Sequence, residues 1–159
     1  MRRIALAAAA LALTAAAGEA SAQSQSVTFS VQPINQMTVS GNPGALTINA
    51  ATVGSGLNSV TDASTTWGIT TNQTGTKVTA AIEEGMPTGV KLQVQLAAPT
   101  GASSAGSVEL GTVASDVVTG ITKLDEAGKT ITYTLSATAA AGVQASASRT
   151  VTYTVVAGN

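Results

Sequence analysis

Residues 130–137 read TITYTLSA, and residues 151–156 read VTYTVV. In the first stretch the apolar residues Ile131, Tyr133 and Leu135 alternate with threonine and serine, and the second follows the same rule. A period of two puts alternate side chains on opposite faces of an extended chain, and it is typical of antiparallel strands with one buried face. Threonine is β-branched and favours this pleated backbone. The two stretches therefore predict two neighbouring strands with the same inward and outward pattern.

The same alternation recurs along most of the sequence. It predicts further strands at 27–31, 46–48, 66–70, 77–82 and 90–96, and weaker ones at 37–39, 107–110 and 117–121. Clusters rich in Gly, Pro, Asn and Asp predict turns between them, at 41–44, 54–56, 72–75, 85–89, 99–101 and 125–128. The alanine-rich residues 137–147 contain Gly142 and are expected to form a loop or a strand extension. The pattern predicts an all-β fold, a single antiparallel β-sandwich (Ig-like or pilin-like) of about nine or ten short strands.

The apolar positions of these strands are the expected core. Trp67 is in phase with Ile69 on its strand, which favours a buried indole, although an exposed Trp67 would offer a stacking surface for a sugar ring. The expected core residues are Phe29, Val31, Trp67, Ile69, Leu92, Val94, Ile131, Tyr133, Leu135, Val151, Tyr153 and Val155.

Composition excludes several kinds of chemistry. The chain contains neither cysteine nor histidine. Disulfides, zinc–thiolate sites, iron–sulfur clusters, Ser-His-Asp triads and haem-ligating histidines are therefore absent. The formal net charge of −1 and the lack of a basic patch give no reason to expect nucleic acid as a partner. No glycine-rich phosphate loop is present, and we expect no cofactor and no metal.

The first residues have the layout of a secretory signal peptide. Arg2 and Arg3 precede the apolar stretch 4–17, which is shorter than the roughly 20 residues that span a bilayer. Ala20-Ser21-Ala22 then supplies an A-x-A cleavage site. We predict a signal peptide at 1–22 and a single domain at 23–159. The protein is expected to be secreted, in the extracellular space, on the cell surface or in the periplasm, with no membrane insertion after cleavage.

Carboxylates are the remaining candidates for catalysis. Glu83 and Glu84 are adjacent, so on a strand their side chains point to opposite faces. The 125–128 stretch lacks the ligand ladder of a calcium loop, and a hairpin turn explains it better. A secreted hydrolase would need two acidic side chains about 5–10 Å apart in a cleft. We predict a protein that is not an enzyme, and the hydrolase is a third hypothesis that such a pair would support.

The exterior points to a structural role. Threonine and serine make up 38 of the 137 residues from Gln23 to Asn159 and form the outer face of most predicted strands. Such a surface has little charge repulsion between copies, and open strand edges invite strand addition. The first strand pattern begins at Ser26 and the last ends at Val156. Either terminal strand can pair within its own sheet or with a neighbouring subunit, and a monomer with protected edges is the alternative.

Three stretches of the sequence carry a resemblance. VTFSVQPINQMTVSGNPGALTI at 27–48, together with KTITYTLSAT and SRTVTYTVVAG further on, is similar to small secreted bacterial proteins and to pilin-like and spore-coat-like β-sandwich subunits. The core disulfide and the terminal motif usual in pilins are absent, so no residue role is carried over. The resemblance implies an exported structural protein that self-associates through strand edges. A carbohydrate-binding or adhesin-type module, with Trp67 as the glycan contact, is the alternative.

Overall fold

The computed structural model describes residues 21–157, so most of the predicted signal peptide lies outside the described residues. The chain divides into two units, with the boundary between Val31 and Gln32. In the first unit, residues 21–31 form no regular secondary structure and their side chains are exposed. The second unit, from Gln32 onward, contains all of the strands.

The second unit is built from antiparallel strands. The described part of the chain contains no α-helix, and 48% of it is strand. The elements are β1 (Asn35–Val39), β2 (Ala51–Thr52), β3 (Gly56–Leu57), β4 (Val60–Thr71), β5 (Thr76–Ile82), β6 (Val90–Leu96), β7 (Ser103–Ser104), β8 (Val108–Glu109), β9 (Ser115–Ile121), β10 (Leu124–Ala137), a 3-10 turn (Ala139–Ala141) and β11 (Val151–Val156). The all-β prediction is confirmed, and the alanine-rich stretch 137–147 contains the end of β10, the 3-10 turn and a loop after it.

Two sheets and one short ribbon arise from these strands. The first sheet has the order β1-β4-β10-β6-β8, and the second has the order β11-β5-β9-β7. Strands β2 and β3 pair only with each other. Each sheet therefore ends in two edge strands, β1 and β8 in the first and β11 and β7 in the second.

Both sheets contribute buried side chains to one hydrophobic core. Burying each large apolar side chain contributes about 1.5–3 kcal/mol. Trp67 is 1% exposed, and its indole N–H donates to the Ala97 carbonyl oxygen at 3.2 Å, so its one polar group is satisfied. The buried apolar residues are Trp67, Ile69, Val78, Ala80, Ile82, Leu92, Val94, Leu96, Leu110, Val117, Val118, Ile121, Ile131 and Tyr133.

Two predicted strands do not form. Residues 27–31 and 46–48 alternate as strands do, but neither pairs as a strand with any other segment of residues 21–157. The prediction that Phe29 and Val31 belong to the core is wrong, since they are 89% and 79% exposed. Alternation shows that a segment can present an apolar face to a sheet, but a strand also needs a neighbour for its backbone.

Residues 125–128 form a bulge within β10 rather than the predicted turn. The register with β4 shifts between Glu126 and Lys129. Hydrogen bonds from Lys129 and from the Thr100 backbone N–H hold the pKa of the Glu126 carboxyl at about 2. Gly68 on β4 lies under this bulge, where an added Cβ would come within 2.9 Å of the Ala127 backbone. The bulge therefore requires a glycine beneath it.

The two TYT stretches are not hydrogen-bonded neighbours either. TITYTLSA lies in β10 of the first sheet and VTYTVV in β11 of the second. Their tyrosines meet across the interior, with the Tyr133 and Tyr153 hydroxyl oxygens 2.8 Å apart. The shared pattern therefore reflects two inward faces that oppose each other rather than two adjacent strands.

Thr65 on β4 provides a test of the core. Its hydroxyl is buried and, among the described residues, it is the one buried side-chain oxygen or nitrogen without a hydrogen-bond partner. Because an unsatisfied buried hydroxyl is costly, Thr65→Val is expected to raise the free energy of unfolding by about 1 kcal/mol. Urea denaturation measures this change. The exposed Thr61→Val on the same strand is the control and should leave stability nearly unchanged, and a loss of stability in Thr65→Val would contradict the assignment.

Candidate functional site

The open edge formed by β11 is the longest uncharged edge in the two sheets. Its sequence VTYTVV contains no charge, proline or glycine. Charged side chains normally protect sheet edges from pairing with other chains. The β8 edge carries such protection, because Glu109 forms an ion pair with Lys91 at 2.8 Å. The β7 edge has only two residues, and β1 has five. β11 is therefore the edge best suited to accept another strand.

The register of β11 shows which backbone groups are open. Thr150 precedes β11 and faces β5, since its N–H donates to the Glu83 carboxylate at 2.8 Å and its carbonyl accepts from the Glu83 N–H at 3.3 Å. Successive residues of a strand direct their backbone groups to opposite sides. Val151, Tyr153 and Val155 therefore direct their N–H and C=O groups away from β5. No other strand of residues 32–157 pairs with them.

A cavity of about 620 Å³ lies beside this edge. Val39 at the end of β1 lines it on one side, and Val151 and Tyr153 of β11 line it on the other. Tyr133 and Leu135 of β10 contribute further lining. Leu135 and the inward residues of β11 are only half-buried, because this part of the interior is open. The space between the two sheets is thus incompletely filled where β1 and β11 approach each other.

A second cavity of about 640 Å³ lies between the loop containing Leu46 and Ile48 and the loop 142–147. It shares Leu46, Met86, Leu135, Ala147 and Arg149 with the first cavity. The predicted strand at 46–48 therefore forms part of a cavity wall instead of a sheet. Both volumes fall within the range of small-molecule sites, but neither lining includes an aspartate or a glutamate.

The two tyrosines join the sheets at the first cavity. Removal from water raises the pKa of both the Tyr133 and the Tyr153 hydroxyl, and the hydrogen bond between them raises the pKa of Tyr153 further. Both hydroxyls therefore stay protonated well above neutral pH. Their contact is a neutral hydrogen bond that sets the spacing of β10 and β11 where the core ends.

The charged residues near the cavities are engaged in structure. Arg149 donates to the carbonyls of Gly85 and Ser148, and its guanidinium lies 3.6 Å from the Glu84 carboxylate. Hydrogen bonds from Thr150 hold the pKa of the neighbouring Glu83 carboxyl below its usual value. Glu83 and Glu84 thus have different partners, Thr150 and Arg149. The described residues hold no group of three acidic side chains suited to a metal ion.

Trp67, the predicted glycan contact, is not available to a sugar. With 1% of its surface exposed and its N–H bonded to Ala97, it has no open face for stacking. This placement corrects the glycan assignment, and its phase with Ile69 was the signal that pointed to burial. The cavity and the tyrosine contact were missed, because single-strand periodicity does not show which strands oppose each other.

The unit formed by residues 21–31 carries an unusual surface. Val27, Phe29 and Val31 are 77%, 89% and 79% exposed, and they alternate with Thr28 and Ser30. Single exposed apolar residues are normal, but three in phase make a continuous apolar stripe when the segment is extended. The stripe has the length and period of one face of a short strand.

Asn72 secures the start of the second unit. Its side-chain amide donates to the Gln32 carbonyl at 2.8 Å, and its side-chain oxygen accepts from the Ile34 N–H at 2.8 Å. These bonds continue the pairing of β1 with β4 beyond its last residue pair, Asn35 with Thr71. The chain just after the apolar stripe is therefore held at the end of the first sheet.

The tyrosine contact predicts a specific pattern of stability changes. Tyr133→Phe or Tyr153→Phe alone leaves the other hydroxyl without its partner and is expected to cost about 1–2 kcal/mol. The double variant should cost little more than either single one, since no buried hydroxyl is then left unsatisfied. A double-mutant cycle in urea should give a coupling of about 1 kcal/mol. Strict additivity of the two changes would contradict the contact.

Comparison with known proteins gave no match to any protein-family model, curated protein or solved structure. In the stretch 21–157, no helix is long and apolar enough to cross a membrane. The edge of β11, the adjacent cavity and the apolar stripe at 27–31 are therefore the features on which a functional conclusion depends.

Proposed function

We propose that the protein is an exported structural subunit of a cell surface, an extracellular matrix or a pilus-like filament. In this proposal the two sheets form an Ig-like or pilin-like β-sandwich, and copies associate through strand edges. The observation that carries the proposal is the apolar stripe of Val27, Phe29 and Val31, exposed on a segment that belongs to no strand. The role requires neither an enzyme activity nor a cofactor.

The energetics favour a partner for this stripe. Each of its side chains would contribute about 1.5–3 kcal/mol if fully buried. Among the described residues 21–157 the backbone groups of this segment have no strand partner, and a sheet edge satisfies such groups in an alternating ladder. Strand addition satisfies both needs at once, and it is an established means by which extended segments bind proteins. A segment of this kind is therefore suited to association.

The distribution of charge supports self-association. Ion pairs join Lys77 with Asp116 and Lys91 with Glu109, so these charges neutralise each other on the sheets. The edges β1 and β11 carry no charged residue. Copies of the protein therefore meet little electrostatic repulsion at these edges, and the small net charge of the chain adds little more.

The proposal is tested on the protein without residues 1–22. We expect purified protein to form multimers or filaments, and deletion of residues 23–31 to leave a folded monomer, because the apolar stripe is lost. Sizing by light scattering and negative-stain microscopy measure the assembly, and circular dichroism checks the fold.

A matched pair of variants separates the stripe from the mere presence of the segment. Val27→Ser, Phe29→Ser and Val31→Ser together should dissociate the multimers as the deletion does. Thr28→Ser with Ser30→Thr, on the other face, should not. A wild-type protein that stays monomeric at high concentration would contradict the proposed function. Multimers that persist after the deletion would contradict the role of residues 23–31 in assembly.

A further inference from the structure

We propose that the acceptor of the apolar stripe is the free edge of β11 in a second copy of this chain. The segment 27–31 adds there as an antiparallel strand with Phe29 opposite Tyr153. This inference rests on the proposed function and names the surface that it uses. It follows from three properties of the edge: its lack of charge, its alternation and the cavity beside it.

The other edges fit a donor strand less well. β7 and β8 are each two residues long, and β8 also carries the Lys91–Glu109 ion pair. β1 has five residues, but its last residue, Val39, is 48% exposed, and only Asn35 and Met37 are half-buried. β11 offers six residues and three open backbone positions, which matches the length of the donor.

The register follows from matching the two alternations. With Phe29 opposite Tyr153, Val27 lies opposite Val155 and Val31 lies opposite Val151. All three apolar pairs then share the inner face, while the polar pairs Thr28–Thr154 and Ser30–Thr152 share the outer face. A slip of one residue would turn the whole stripe toward solvent, so burial of the stripe specifies the register.

The cavity beside β11 can accommodate the central side chain of the donor segment, Phe29. Tyr153, which faces Phe29 in this register, lines the cavity of about 620 Å³ together with Val39 and Tyr133. A phenylalanine side chain buries about 150–250 Å² and packs well beside other aromatic rings. Insertion of Phe29 therefore fills the gap between the sheets and covers the half-buried residues of β11.

The connection to β1 favours a second copy over the chain's own edge. Asn35 at the start of β1 lies beside Thr76, and the next residue, Lys77, pairs with Val156 at the end of β11. The antiparallel register places Val31 opposite Val151, at the other end of β11, so pairing within one chain would require the chain from Val31 to Asn35 to span the length of β11, about 17 Å. Four residue steps of about 3.4 Å do not reach that far. A neighbouring molecule presents its β11 without this restriction.

Engineered disulfides test the acceptor directly, because the chain contains no cysteine of its own. Ser30 and Thr152 would form a pair without direct backbone hydrogen bonds, since Val151 and Tyr153 carry the open backbone groups. Such a pair has a Cα separation of about 4.5 Å, which a disulfide can bridge. The Ser30→Cys protein is mixed with the Thr152→Cys protein and oxidised mildly. We expect most of the linked product to be the mixed dimer, identified by mass spectrometry of the cross-linked peptides.

Two further acceptor variants are matched controls. Thr38→Cys places the thiol on β1, and Ser107→Cys places it just before β8 without removing the Lys91–Glu109 ion pair. Neither should link to Ser30→Cys above the level of random collision. Thr154→Cys, two residues along the same edge, should link less well than Thr152→Cys because the diagonal distance is about 7–8 Å.

Each outcome separates the acceptor from the proposed function. Multimers that link through Thr38→Cys or Ser107→Cys instead would overturn the β11 assignment and leave strand-edge assembly intact. Absence of multimers in the wild-type protein would overturn both. If the double variant Ser30→Cys/Thr152→Cys links only within single molecules, the second copy is not the partner and the inference fails.

Discussion

Backbone pairing at sheet edges is the constraint on which this molecule depends. Every strand has donors and acceptors on two sides, and an interior strand satisfies both through its neighbours. β11 satisfies one side through β5 and leaves Val151, Tyr153 and Val155 open on the other. The segment 27–31 has the complementary property, because it has an apolar face and no strand partner in the described part of the chain. The proposed assembly joins the open backbone groups of β11 to the exposed apolar segment 27–31.

The packing of the interior is also incomplete, in the region where β1 and β11 approach each other. Around Trp67 the two sheets bury a continuous set of apolar side chains, and the indole has its hydrogen bond. Toward β1 and β11 this packing gives way to an open cavity, where the Tyr133–Tyr153 contact joins the sheets. Protein interiors are normally packed with few voids. A cavity bordered by half-buried apolar residues beside an open edge is therefore a place where another apolar side chain would add stability.

Electrostatics distinguishes the edges from one another. The charges of the strands lie on neighbouring strand pairs, as in Lys77–Asp116 between β5 and β9 and Lys91–Glu109 between β6 and β8. They are exposed pairs and contribute little to stability. Their placement nevertheless puts charge on the β8 edge, which protects it from pairing with another chain, and leaves the β1 and β11 edges without charge. Which edge accepts a strand in the proposed assembly therefore depends on which edges lack charged residues.

The sequence by itself determined the all-β character, most of the strands and half of the expected core, because alternation along a strand is a local property. Trp67, Ile69, Leu92, Val94, Ile131 and Tyr133 are buried as their alternation predicts. Tertiary structure alone decided which strands are neighbours, that the TYT stretches oppose each other in different sheets, and that residues 125–128 are a bulge over Gly68. It also decided that Phe29 and Val31 lie outside the core. Burial of an apolar face requires a partner surface, and no local pattern shows whether the same chain provides one.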